Sequence, residues 1–525
     1  MTEENKYLPE TQKFLNECVR LAPANRNVRG GNERISHAAF LYEKFRTAIE
    51  YQEDHLIFKN AVSRIARRKF ALSFSVTSES LFNDLMNELA WADYLNLDSL
   101  SDEELNKIKS IVERYLILIH HVKSSAMSRY EAQKIVIGWM ASEIDEVLFS
   151  HKQQDTLVDF TYHNLIHNLH FDDPKEKEKS HLQLKLAILT QLYRPDYSYA
   201  QYWAIKKLFP AFDKFGAKEA EDIALHFDNI IKHANDYLHN PLSKNYLFYT
   251  KKYIAPFVLM KELINSRRDL SPILTDSEKF KFWLMELYDL QIRKNRARIW
   301  RGTLRALIFI IITKISLAFL IEMPFDQYFK GSVDYFSLLV NVLLPPSLML
   351  LAGLSIKNPP LKNRDVVYQA ISNIVLYEKI DQKPFIIGYK RTNSTEIIFN
   401  SLFTIFNLAI IAGVIYLLDR LGFNFVSITL FFIFVSAVSF FSFRIRNIAL
   451  EMMMQFSREN PIISSIEFIF MPFILIGKYL SAAITKSNPF TITLDFLIEA
   501  PLKSIITITN SWMRFIRQKK DDIDI

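Results

Sequence analysis

The chain has 525 residues, a formal charge of +7, 50% hydrophobic residues and 23% charged residues. Its single cysteine, Cys18, excludes an intrachain disulfide and a multi-cysteine zinc site, and its 11 glycines form neither a GxGxxG nor a GxxxxGK[ST] phosphate loop. Charge is divided unevenly: residues 1–300 carry 42 basic and 41 acidic side chains, residues 301–525 only 22 and 16. Such a split implies two solvents rather than one large globule.

In chain order, the polar start MTEENKYLPETQKF lacks the apolar core of a secretory signal, which places residues 1–300 in the cytoplasm. Residues 1–35 read as a flexible arm, with Ala22–Arg34 its least patterned part. From Ser36 the pattern is helix after helix. Phe40, Phe45, Ile49 and Ile57 punctuate a charged run to Arg68, and Ser101 with Glu104 forms a capping box before Ile108–His121. Ser128 opens a run through Trp139 and Val147, and further helices are expected over 155–170, 176–193, 198–209, 217–239 and 244–266. A run from Asp276 meets no Gly or Pro before Gly302 and should continue into the apolar half as one helix. Period-two alternation is confined to Pro384–Tyr389. The domain 36–300 is long enough for its own core, either as one unit or as two divided at the polar stretch Phe171–Lys179.

Four apolar runs follow: Leu304–Met323, Tyr335–Leu354, Ile397–Leu418 and Phe425–Phe443. Each is about 20 residues, the length that spans roughly 30 Å of hydrocarbon as a helix. Flanking bases alternate as the positive-inside rule requires. Arg293, Lys294, Arg296, Arg298, Arg301 and Arg305 surround the start of the first run, and only Lys330 separates the first two. Seven bases from Lys357 to Arg391 lie between the second and third, Arg420 alone before the fourth, and Arg444 and Arg446 at its end. This orientation puts both termini in the cytoplasm of an inner-membrane protein. Residues 451–525 read as amphipathic interfacial helices and a basic tail. Pro461–Gly477 is short and carries Glu467 and Pro472, while Pro489–Trp512 bears the polar stripe Asp495, Glu499, Lys503. The alternative is a fifth and a sixth span.

The segments RGTLRA (Arg301–Ala306), Phe336–Ser355 with its paired prolines, LGFNFVSITLFFIFVSAVSFFSFRIR (Leu421–Arg446), LDFLIEAPLK (Leu494–Lys503) and Leu41–Arg68 resemble a family of uncharacterised multi-pass membrane proteins from small-genome bacterial lineages. The resemblance is one of whole segments and implies a membrane location without an activity. The expected fold is all-α: a cytoplasmic multi-helix domain, a four-helix transmembrane bundle over 301–450, and amphipathic C-terminal helices.

Two groups of residues carry candidate chemistry. In YHNLIHNLHFDD, a continuous helix would set His163, His167 and His170 within about 60° of arc, a spacing able to hold a divalent transition metal, with Asp172 and Asp173 adjacent. A solvated polar face is the plainer alternative, and the same applies to His226 and His233. Lys314 lies midway along the first span, where an ammonium should face the bundle interior or water, unless the side chain snorkels. Asn341, Asn407, Ser436 and Ser439 are its candidate partners, and Glu467 is one only if its helix enters the membrane. Pro345–Pro346 should interrupt the second span, either as a break whose freed carbonyls could line a substrate site or, more simply, as a kink. These features admit a transporter or channel subunit and a membrane-tethered metalloenzyme beside the leading expectation, a structural membrane protein that is not an enzyme and needs no cofactor. Expected partners are the lipid bilayer and other membrane or cytoplasmic proteins, with a second copy of the chain admissible. The basic clusters adjoin spans, which fits anionic headgroups and excludes a nucleic-acid role.

Overall fold

The computed structural model describes residues 56–266, 277–356, 359–375, 385–387, 394–454 and 461–487 apart from short gaps at 73–74, 93, 150 and 172–173. It also describes Trp512 and a few residues between Thr11 and Cys18. The arm Ala22–Arg34, the helix start at Ser36 and the segment 489–511 lie outside the described residues. The fold is all-helical apart from two three-residue strands. Its contacts divide it into two units, one comprising 1–291, 360–391 and 451–455, the other 292–359, 392–450 and 456–525.

The first unit is built from α1 (Ile57–Leu72), α2 (Ser78–Trp91), α3 (Asp102–His121), α4 (Arg129–Phe149), α5 (Lys152–Ile166), β1 (Leu169–Phe171), α6 (Pro174–Tyr193), α7 (Tyr197–Leu208), α8 (Ala217–Leu225), α9 (Phe227–Leu238), α10 (Ser243–Tyr253) and α11 (Ala255–Ser266). The Ser101–Glu104 capping box is present in both directions and starts α3 one residue later. Two expected helices are each divided. The run 217–239 breaks at His226, where Asp228 turns its carboxylate to Ser124 and Ser125. The run 244–266 breaks at Ile254, because Pro256 has no N–H to continue the ladder. Within the polar stretch Phe171–Lys179, α6 begins at Pro174.

One core joins residues from Phe58 to Leu148 with residues from Tyr202 to Ala234. Its centre is Trp139, which is fully buried, donates Nε1–H to Gln201 Oε1 at 3.0 Å, and packs against Phe212 and Phe227. Burying an aromatic ring while satisfying its N–H avoids the cost of an orphan donor. The loop between the second and third apolar runs folds with this unit. Its helix α15 (Leu361–Val375) carries the fully buried Asn363, which donates to Tyr288 Oη and Met452 O and accepts from Met454 N. The alternation at Pro384–Tyr389 appears as β2 (Phe385–Ile387), paired in parallel with β1.

Helix α12 (Ser277–Leu317) runs without interruption into the second unit. A π turn (Ala318–Glu322), α13 (Met323–Lys330), α14 (Tyr335–Ser355), α16 (Ser394–Arg420), α17 (Phe425–Ala449) and α18 (Pro461–Ser487) follow. Among the described residues, four helices are long and apolar enough to cross a membrane, at Lys281–Phe329, Tyr335–Ser355, Ile397–Arg420 and Phe425–Met452. Their exposed surface is apolar, as lipid solvation requires, with Phe309, Leu320, Leu351 and Ile405 each over 60% exposed. Tyr328, Phe329, Tyr335, Phe336 and Phe425 are exposed near the junctions joining the first span to the second and the third to the fourth, as an aromatic belt would be.

Contacts at both ends of this unit give the register. A β-carbon on Gly302 of α12 would lie 3.8 Å from Ile445 of α17, and Gly353 of α14 packs against Thr303. At the other end Gly422, with φ +84°, sits against the Asp334 carboxylate. The second and fourth spans therefore run in the same direction, opposite to the first. Helix α18 lies along α17, where Gly477 admits the Ser436 carbonyl to a distance that no side chain would tolerate.

Candidate functional site

The chemistry-bearing centre of the second unit is a sealed polar cluster around Glu322. Lys314 Nζ lies 2.7 Å from Glu322 Oε1, and both side chains are completely buried. Glu322 Oε2 accepts from Asn341 Nδ2 at 2.6 Å and from Ser427 Oγ at 3.2 Å. Asn341 Nδ2 also reaches the Ser427 carbonyl at 3.3 Å. The ammonium stands 5.1 Å from the centre of the Phe434 ring. Asn341 of α14 and Ser427 and Phe434 of α17 thus surround one ion pair.

Backbone geometry brings the pair together. On a regular helix, residues eight apart differ by about 80° in direction. The π turn closes an i→i+5 bond from Met323 N–H to Ala318 O and so absorbs one extra residue. Glu322 then falls near the phase of a seven-residue spacing, on the face of Lys314. Below it, Asn424 caps α17 through Ser427 N–H at 2.6 Å and donates Nδ2–H to the buried Asp326 at 2.7 Å.

Of the partners expected for Lys314, Asn341 belongs to the cluster. Asn407 does not: its Nδ2 donates to Phe403 O of its own helix at 2.7 Å. Ser436 and Ser439 are buried on α17 without a bond to the lysine. Glu467 pairs with Arg446 instead. The expected partners all lay on other helices, whereas Glu322 stands in the same apolar run as Lys314, eight residues on. Of the two readings of Pro345–Pro346, the break is not seen: both prolines are buried inside α14, which continues through them.

The histidine group is dispersed by the end of α5. The helix stops at Ile166, which leaves His163 on it, His167 just past it and His170 on β1. All three are exposed, and among the described residues no group of three His, Cys, Asp or Glu is placed to hold a metal. Asp172 and Asp173 lie outside the described residues. His170 instead lines an open cleft with Ile166, Leu169, Phe171, Lys177, Ser180 and His181. His226 and His233 are likewise exposed at the start and middle of α9.

The first unit holds a charged seam that sequence reasoning missed. Glu143, Asp145 and Glu146 of α4 meet Arg114, His151 and Lys206 respectively, and the nearly buried Lys59 meets Asp196. His151 bonds Asp145 Oδ2 at 2.8 Å and Gln154 Oε1 at 2.6 Å. Burial opposes charge on that ring, but the bonds to Asp145 and Gln154 outweigh it and raise its pKa. Burial dominates at Glu146 and raises its pKa against the pull of Lys206. Cys18 is a buried thiol whose pKa burial raises to about 12, which makes it a poor nucleophile. A pattern of charges on an amphipathic helix reads as a solvated face, and only packing turns it inward.

No protein-family model, curated protein or solved structure matches the chain.

Proposed function

We propose that this is a multi-pass membrane protein with a structural role, in which the apolar bundle anchors a cytoplasmic helical domain that docks other proteins. The observation that carries this reading is the pairing of Glu322. Lys314 holds one oxygen of the carboxylate, and Asn341 and Ser427 both donate to the other. A buried charge in a conducting path needs a partner that can leave. Here each charge is held by a group on the same helix or a packed neighbour, which favours an interhelical brace over an ion pathway. The continuity of α14 through Pro345–Pro346 supports the same reading, since transporters with midplane sites use interrupted helices.

Reconstitution into liposomes tests it. Wild-type protein and Lys314→Leu should be equally silent in proton and alkali-cation flux. Flux that requires Lys314 would replace the structural reading with transport. The membrane premise is tested separately, by whether the full-length chain stays monodisperse only in detergent.

A further inference from the structure

The face of α12 that enters the bundle changes from basic to apolar without a break. At 100° per residue, Arg293, Arg296, Trp300, Arg301, Leu304 and Arg305 fall within one half of the helix circumference. All six are exposed, while Asn295, Ile299, Gly302 and Thr303 on the opposite half are buried. The same helix then exposes Ile308, Phe309 and Ile312. Helix α17 adds a further exposed base at this end of the bundle. Ile445 packs at the level of Gly302, so its exposed neighbour Arg444 stands at the same end of the bundle as Arg301 and Arg305.

We propose that Arg301, Arg305 and Arg444, with Trp300 beside them, form a binding site for the headgroups of anionic phospholipids. The occupant follows from continuity. A ligand here meets guanidinium groups on one side and lipid-facing isoleucine and phenylalanine on the other, which suits a phosphate carrying acyl chains better than a free anion. Guanidinium presents paired donors to phosphate oxygens, and Trp300 has the amphipathic ring that settles at headgroup level. Axial distance divides the bases into two classes. Arg293 lies twelve residues before Arg305, about 18 Å along the axis, whereas a headgroup layer is only roughly 5–8 Å deep. Arg301, Arg305 and Arg444 therefore touch phosphate, and Arg293 and Arg296 act only through the screened surface field. The proposal rests on the membrane reading of the bundle.

The test is lipid exchange on full-length protein in neutral nanodiscs, comparing labelled phosphatidylglycerol with phosphatidylcholine. Wild type should prefer the anionic lipid. Each contacting arginine contributes about fivefold, so Arg301→Gln/Arg305→Gln/Arg444→Gln should lower the preference roughly a hundredfold. The corresponding triple lysine variant should keep most of it. Arg293→Gln/Arg296→Gln should lower it only slightly, and only at low salt. An unchanged preference in the triple glutamine variant overturns the proposal, as does displacement of the lipid by millimolar inorganic phosphate. Should that variant fail to fold, the single variants decide: a preference lowered about fivefold in each of Arg301→Gln, Arg305→Gln and Arg444→Gln supports the site, and one unchanged in all three overturns it. A chain that needs no membrane mimetic at all fails the membrane reading first, a distinct result.

Discussion

Removing Lys314 gives the sharpest test of the sealed cluster. Lys314→Leu leaves the Glu322 carboxylate with two neutral donors, Asn341 at 2.6 Å and Ser427 at 3.2 Å, and no counter-charge within a completely buried site. Breaking a buried pair from one side costs about 3–5 kcal/mol, because the surviving charge must be neutralised by a proton or left unpaired. Glu322→Leu should cost a similar amount by stranding the ammonium. Replacing both residues with leucine removes both desolvation penalties and should land within about 1–2 kcal/mol of wild type. The single losses therefore should not add, and the coupling between the two positions should be at least ~2 kcal/mol. Thermal and denaturant unfolding of the four proteins in one detergent reads this directly. Additive losses, with the double variant the least stable, would refute a paired role. A harmless Lys314→Leu would show that the ammonium reaches water in the native protein.

Other expectations concern both units. In the first, the His151 pKa is raised in the folded state by Asp145 and Gln154. Its stabilisation is then complete below the unfolded value near 6.5 and is lost as pH rises through the folded value. Denaturation midpoints should fall across that window in wild type and lose this component in His151→Leu. Ser101→Ala removes the side-chain half of the capping box on α3, the Oγ that accepts from Glu104 N–H, and should cost about 1 kcal/mol in urea unfolding, with the core otherwise unchanged. Trp139→Ala, which also strands Gln201, should cost about 3–5 kcal/mol and show as loss of cooperative unfolding. In the second unit, Gly477→Leu places a side chain where the Ser436 carbonyl sits, and should free α18 from α17, read as faster hydrogen exchange in both helices.

Periodicity and charge were enough to read the local structure. The Ser101–Glu104 box, the limits of α14 and α17 to within a few residues, and the unbroken entry of α12 all follow from caps, apolar runs and the absence of helix breakers. These are properties of a few consecutive residues, and hydrocarbon enforces them strongly because a backbone in lipid has no other hydrogen-bond partners. The sites were set by different physics. The three histidines lost their common face when α5 ended at Ile166. Lys314 found Glu322 through a π turn that composition does not announce. Asp145 and Glu146 turned inward because His151 and Lys206 reached them from α5's N-terminal boundary and from α7. Which face a polar side chain presents, and to whom, depends on helix phase and on neighbours distant in the chain. Only the packed tertiary structure fixes those.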